Sequence, residues 1–315
     1  MLRYAVRRIA ASVPVLLLVT LISFSMMHLV PGDPAAAIAG AGATNAEIEA
    51  IRLQLGLDKP FLVQLATWYG GLLQGDLGRS ILLNRPVWQA IVERLPITLP
   101  LALFALLLTL LIGIPAGIIA ALRANTWIDQ AVTGLAMLGV SVPSFWLALM
   151  LIVLFGVHLE WLPTGGFVPF SENPVAWARS MVLPSISLAL LQIGLLARIT
   201  RGTMLEVLRQ DYVRTARAKG LPGWMVIGKH ALKNVMVPVV TVIGISFGLL
   251  LSGSIVIETV YGMPGIGRLI ANAIFGRDYP VIQGGLLLTG TVLVLLNLVV
   301  DLLYAVIDPR VRYGS

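Results

Sequence analysis

Gly223-Trp-Met-Val-Ile-Gly228-Lys229 carries the spacing G-x-x-x-x-G-K of a phosphate-binding loop. In such a loop backbone N–H groups cradle phosphates, and a following Ser or Thr ligates magnesium. Here the next residue is His230, bulky apolar side chains fill the cradle, and no hydrophobic strand precedes it. The spacing therefore reads as coincidence. Gly244-Ile-Ser246-Phe-Gly248 has the spacing of a nucleophile elbow, which needs a strand–turn–helix with a His and a carboxylate in reach. It lies inside an apolar stretch, so an intramembrane serine protease is the enzyme it would serve. His28 and His158 fall near the outer ends of apolar runs, however, and His230 lies in a polar loop. Thr241, Gly244, Gly248 and Ser252 instead form a small-residue stripe at helical spacing, which lets helices approach closely. Gly262-Met-Pro-Gly265-Ile-Gly267 reads as a turn. Three scattered histidines and no cysteine give no metal-site spacing and no disulfide.

These motifs sit in a chain of 315 residues that is 58% hydrophobic and 12% charged, with mean hydropathy +0.92. Soluble domains carry about 25% charged residues, so lipid must solvate part of this chain. Cutting at Asp, Glu, Lys and Arg leaves six uncharged runs of 18 or more residues: Ile9–Gly32, Leu95–Leu122, Gln130–Leu159, Ser180–Ala197, Asn234–Ile257 and Tyr279–Val300. A hydrocarbon core of about 30 Å needs roughly 20 helical residues. The shortest run, Ser180–Ala197, extends a little into Ile199–Thr200. The expectation is an all-α polytopic membrane protein with six transmembrane helices. The first run exceeds the 7–15 residues of a signal-peptide core, so it is expected to be retained as an anchor. Six spans put both termini on one side. With that side cytoplasmic, fourteen of the 22 Lys and Arg lie inside and eight outside, as the positive-inside rule requires. The net charge of +7 is thus a topology signal, and a nucleic-acid partner is not expected.

The chain divides into a tail with the first span (residues 1–30), an outside loop (31–94) and a five-helix core (95–315) containing an inside loop at 201–233. In the outside loop, Thr44 and Glu47 have the form of a capping box ahead of Ile48, Ile51 and Leu55. Gly56 ends that helix and Pro60 opens the next, Phe61–Leu73, whose Trp68 and Tyr69 suit a membrane interface. A small helical cap on the outer face is expected, either as a simple ornament or as a docking platform. In the inside loop, Asp211 can cap a short helix Tyr212–Lys219, with Gly220 as its C-terminal stop and Pro222-Gly223 blocking continuation. Arg214, Arg217 and Lys219 favour the negative end of that helix dipole.

Ionisable residues at mid-depth mark function in membrane proteins, and this chain has almost none. Gln192 and Asn297 are the main uncharged polar candidates for a translocation pathway, with Ser141, Ser144, Ser187 and Ser246; interhelical hydrogen bonds are the plainer use of each. Asp301 lies closer to the inner interface. The shortage of buried carboxylates and the lack of paired broken helices count against an ion-driven carrier, which stays as the alternative. The residues suggest a polytopic protein energised from elsewhere.

The inside loop reads Asp211-Tyr-Val-Arg-Thr-Ala-Arg-Ala-Lys-Gly220-Leu, then His230-Ala-Leu-Lys-Asn-Val-Met-Val-Pro238. It resembles the EAA-type coupling loop of ABC-importer permeases, in the form used by the dipeptide/oligopeptide/nickel family. Arg214, Thr215 and Ala216 stand at the positions of Glu-Ala-Ala, and Gly220 is the motif glycine. The acid and first alanine are missing and the glycine-to-proline distance is long, as in the peptide branch. Further blocks resemble the same family: Leu29-Val-Pro-Gly-Asp-Pro34, Leu55-Gly-Leu-Asp-Lys-Pro60, Gly75-Asp-Leu-Gly78, Ser141-Val-Pro-Ser-Phe-Trp146, Glu258 to Gly267, Arg277-Asp-Tyr-Pro-Val-Ile-Gln283 and Asp308-Pro-Arg310. The long first outside loop looks like the "B" permease of such systems. The resemblance implies a type I importer permease of the cell inner membrane with cytoplasmic termini. It implies a second homologous permease, two ATPase subunits that carry ATP and magnesium, and an extracytoplasmic solute-binding protein, with no catalysis or cofactor on this chain. Asp211, Tyr212, Arg214, Thr215, Ala216 and Gly220 would then couple to an ATPase, and Arg277 and Asp278 would help shape an outer gate. Di- and oligopeptides are the implied cargo, with glutathione or a nickel chelate as alternatives.

Overall fold

The computed structural model describes residues 2–29, 33–40, 42–54 and 56–307, without the side chains of 2–8, 29, 37, 54 and 301–307. Asp301's side chain, part of the 29–34 block, Leu55 and the 308–310 block lie outside the described residues. Among the described residues the regular structure is helical: α1 (Leu2–Leu29), α2 (Pro34–Ala39), α3 (Asn45–Gln54), α4 (Phe61–Leu73) and α5 (Val87–Val92). Then come α6 (Leu95–Leu122), α7 (Trp127–Ser141), α8 (Ser144–His158), α9 (Pro174–Leu208), α10 (Asp211–Ala218), α11 (Gly223–Val260), α12 (Ile266–Phe275) and α13 (Tyr279–Ile307).

Five of these helices are long and apolar enough to cross a membrane: within α1, α6, α9, α11 and within α13. The sixth expected span, Gln130–Leu159, is not one continuous helix. It is the pair α7 and α8, bent by 102° at Val142–Pro143. Pro143 has no N–H to donate and disfavours the α region for the residue before it; Val142 is accordingly extended, at φ −82° and ψ 124°. The single transmembrane helix expected for this run is thereby corrected to a bent pair. It is the one bent pair among the described residues, whereas repeat-built carriers need two.

Compactness groups the chain into two units. The first is built on Ile97–Gly267. At its centre runs α9, in which 67% of the most apolar window is buried. Lipid tails are as apolar as leucine, so close packing and buried polar pairs must hold such helices together. Two glycines show how close the approach is. A Cβ at Gly117 of α6 would lie 2.5 Å from the Ala197 carbonyl, and one on Gly194 of α9 would lie 2.5 Å from that of Ala136 on α7. Leu101, Leu183, Leu250, Ile257 and Tyr261 form the buried apolar cluster of this unit. Ser187 is accounted for here: its hydroxyl donates to the Leu183 carbonyl at 2.8 Å and pairs with the Tyr261 hydroxyl at 2.9 Å.

The second unit comprises Arg7–Pro96 and Arg268–Leu295. Its capping box forms as expected: Thr44 N–H donates to Glu47 Oε2 at 2.7 Å, and Glu47 N–H returns to Thr44 Oγ1 at 3.4 Å. The Thr44 N–H, with the Thr44 hydroxyl donating to the same oxygen at 2.9 Å, holds the Glu47 carboxyl below its ordinary range. Asp33 caps α2 through Ala35 N–H at 3.1 Å and receives Arg52 Nη2 at 2.7 Å. Helix α4 lies against α1 through Phe24, His28, Phe61 and Trp68, with ring centroids 5.0–5.5 Å apart. A 2.7 Å hydroxyl pair between Thr20 and Tyr69 joins the same two helices.

Candidate functional site

The inside loop is shorter than the sequence suggested, because α9 continues to Leu208 and α11 begins at Gly223. Between them α10 forms an isolated two-turn helix. Asp211 is not its cap. Gln210 is, with extended backbone and a carbonyl that accepts from Val213 and Arg214 N–H at 3.0 and 3.2 Å. Asp211 is the first helical residue, so its carboxylate acts on the helix dipole instead. It reaches Arg214 Nη1 at 3.5 Å. The C-terminus closes as a Schellman motif: Leu221 N–H bonds Ala216 O at 3.3 Å and Gly220 N–H bonds Arg217 O at 2.9 Å. Gly220 takes φ +74°, the left-handed conformation that favours glycine.

Helix α10 has two faces. Val213 (0% exposed) and Ala216 (5%) point inward, where Val207, Leu208, Leu221 and Val226 receive them. Asp211, Arg214, Thr215 and Ala218 are exposed at i, i+3, i+4 and i+7, flanked by Tyr212, Arg217, Lys219 and Gly220. Tyr212 is pinned at its hydroxyl by Asn234 Nδ2 at 2.7 Å. Of the six residues expected to couple, Ala216 therefore seats the helix, while the other five lie on its exposed surface.

The pathway candidates are not gathered at one place. Gln192 (3% exposed) and Ser246 (0%) are buried; Gln192 Oε1 and Ser246 Oγ have no hydrogen-bond partner. That disposes of a preformed Ser246–His pair. Ser141 is exposed at the end of α7, Ser144 is half-buried at the start of α8, and Asn297 is exposed on α13. Ser141 shares a cleft of about 430 Å³ with Thr133, Ala136, Gly194, Arg198 and Arg201. The outer-gate pair also separates. Arg277 is exposed with φ +55°. Asp278 is 1% exposed and caps α13. Its Oδ2 accepts from Ser80 Oγ and, at 3.1 Å, from Leu82 N–H, clamping residues 80–83.

The G-x-x-x-x-G-K segment is the first turns of α11, wound as a π-type turn over Val226–Ala231, and presents no phosphate cradle. No cluster of three or more His, Cys, Asp or Glu suits a metal among the described residues. Two long-range polar pairs were not foreseen. Arg201 on α9 forks onto Asp129 on α7, Nη2 to Oδ2 at 2.7 Å. Thr98 Oγ1 donates to the fully buried Glu258 at 2.6 Å while accepting Ile266 N–H at 2.8 Å. In the sequence Asp129 only bounds an uncharged run, and Glu258 bounds another and opens a resemblance block; partners 72 and 160 residues away leave no local signal.

Residues 113–313 match the family described as "Binding-protein-dependent transport system inner membrane component", and residues 1–102 match its N-terminal companion. The chain belongs to this family. It is a multi-pass inner-membrane protein, as the family description and its apolar helices together establish. It is 52% identical over 307 residues to a Brucella abortus (strain 2308) protein named as a peptide transport system permease, covering 98% of both chains. It is 41% identical over 337 residues to the dipeptide transport system permease protein DppB of Escherichia coli (strain K12), covering 99% of both. Among solved structures, a chain of the methionine ABC transporter MetNI in an inward-facing form shares the permease's fold. The TM-score is 0.58 at 18% identity, covering 70% of this chain and 97% of that one.

Proposed function

We propose that this permease is one of two homologous subunits forming the translocation pathway of an ATP-driven, binding-protein-dependent importer of di- and oligopeptides. Its termini face the cytoplasm. ATP and magnesium bind two separate ATPase subunits, and this chain has neither a cofactor nor a reaction of its own. An extracytoplasmic solute-binding protein delivers the cargo. The carrying observation is α10, whose exposed face of Asp211, Arg214 and Thr215 stands on a seat made by Val213 and Ala216. A capped, seated helix transmits a push that a loose loop would dissipate, so nucleotide-driven closure of an ATPase would move α9 and α11 as rigid bodies. Peptide cargo follows from the names of the relatives. Glutathione or a nickel chelate would enter by the same route.

Purification from the native membrane in mild detergent tests this reading. A second six-span permease and one or two ATPases should co-purify, and the accompanying binding protein should bind peptides in preference to glutathione and nickel. Recovery of the chain without any ATPase, even after cross-linking, would overturn it in favour of ion-driven transport.

A further inference from the structure

We infer that Arg201 and Asp129 form a strut that carries motion from α10 to the broken span, an inference that rests on the importer reading above. The pair is buried on its acidic side: Asp129 is 4% exposed. A single edge of the guanidinium makes both bonds, Nε to Oδ1 and Nη2 to Oδ2. Asp129 is fixed further by Asn125 N–H at 3.0 Å and Thr133 Oγ1 at 3.4 Å. Two parallel bonds resist both sliding and rotation, which a point charge such as lysine does not.

The placement makes the pair mechanical. Arg201 lies seven residues, about 10 Å of helix, before the end of α9 at Leu208. Leu208 and Val207 are themselves part of the seat under Val213 and Ala216. Displacement of α10 is thus passed straight to α9. Gly117 packs on the same stretch of α9, where an added Cβ would sit 3.0 Å from Arg201 N. Asp129 lies in the first turn of α7, whose far end is the 102° break at Val142–Pro143. A shift of α9 therefore pulls on one end of α7 and is delivered at the break, beside Ser141. Were fold stability the pair's whole purpose, an apolar residue at 129 would serve as well, because burying the Asp129 charge costs about what its attraction to the part-exposed Arg201 returns.

The test uses the complete complex in proteoliposomes with its binding protein and radiolabelled dialanine. It compares wild type, Arg201→Lys, and the double variant Asp129→Leu/Arg201→Met. The double variant should reach wild-type membrane levels and retain its ATPase subunits, yet hydrolyse at least about five-fold more ATP per dialanine imported, the lower end of site-to-site coupling. Arg201→Lys should keep assembly and lie between. A wild-type ratio in the double variant would overturn the strut, leaving the pair a packing feature. If the double variant does not assemble, a wild-type ratio in Arg201→Lys overturns it alone; failure of both to assemble does the same. A wild-type complex that shows no ATP hydrolysis in response to loaded binding protein would instead bring down the importer reading itself.

Discussion

Replacing Ala216 with leucine should uncouple ATP hydrolysis from uptake while leaving the exposed face of α10 unaltered. Ala216 is 5% exposed and Val213 0%, so the seat of an eight-residue helix rests on these two side chains. Burial of Val213 contributes about 1.5–3 kcal/mol, since α10 lies in a polar loop where water is the competing solvent. Forcing three more carbons into the filled site at 216 costs about 1–3 kcal/mol. The two are of one size, so the seated state loses most of its advantage; each 1.4 kcal/mol is about a tenfold change in population. Hydrogen exchange across residues 209–222 should accelerate by about tenfold in detergent, with membrane levels unchanged. In proteoliposomes, ATP hydrolysis should continue as uptake falls by a similar factor. Proline at the same position, which also breaks the helix, should be at least as severe. Wild-type uptake by a variant whose α10 exchanges faster would refute the reasoning, as would lost uptake with unchanged exchange.

Other expectations follow from particular contacts. Arg214→Glu reverses a charge on a side chain that is 74% exposed; membrane level and thermal stability should hold while ATPase retention on detergent purification falls several-fold. Asp278→Ala strands the Ser80 hydroxyl and Leu82 N–H at about 1–3 kcal/mol for such unsatisfied donors, which limited proteolysis at residues 80–86 should register at lower temperature. The Glu47 carboxyl is held below its ordinary 4.5 by Thr44, so the capping box is intact above the unfolded value and lost as pH falls through the lowered one. Amide exchange at 44–47, referenced to Glu47→Gln at each pH, should converge with that variant only in acid.

Much of this architecture was legible because it is written in short-range terms. The bounds Phe61–Leu73, the Thr44/Glu47 box and the Gly220 stop each depend on neighbours within a turn or two, and all are present. The break at Val142–Pro143 was not legible. Pro14, Pro100, Pro184 and Pro238 sit inside continuous helices, two of them after valine like Pro143, so neither the proline nor its predecessor marks the break. The extension of α9 past Thr200 to Leu208 was hidden for another reason. Charges normally end a span, but Arg201 is neutralised by a carboxylate 72 residues away. In α10 the helix was legible and its inner face was not: alanine is too small for its spacing from Val213 to declare one.

The central claim is that the outer face of α10 is where an ATPase pushes. The chain has no cysteine, so single-cysteine variants report cleanly. Arg214→Cys, Thr215→Cys and Val213→Cys should each be cross-linked with a short thiol-to-amine reagent in native membranes, and the products identified by mass spectrometry. The account expects an ATPase subunit joined at positions 214 and 215, but not at 213. Labelled cysteines at 214 and 215 that capture no ATPase, or capture through 213 alone, would contradict it.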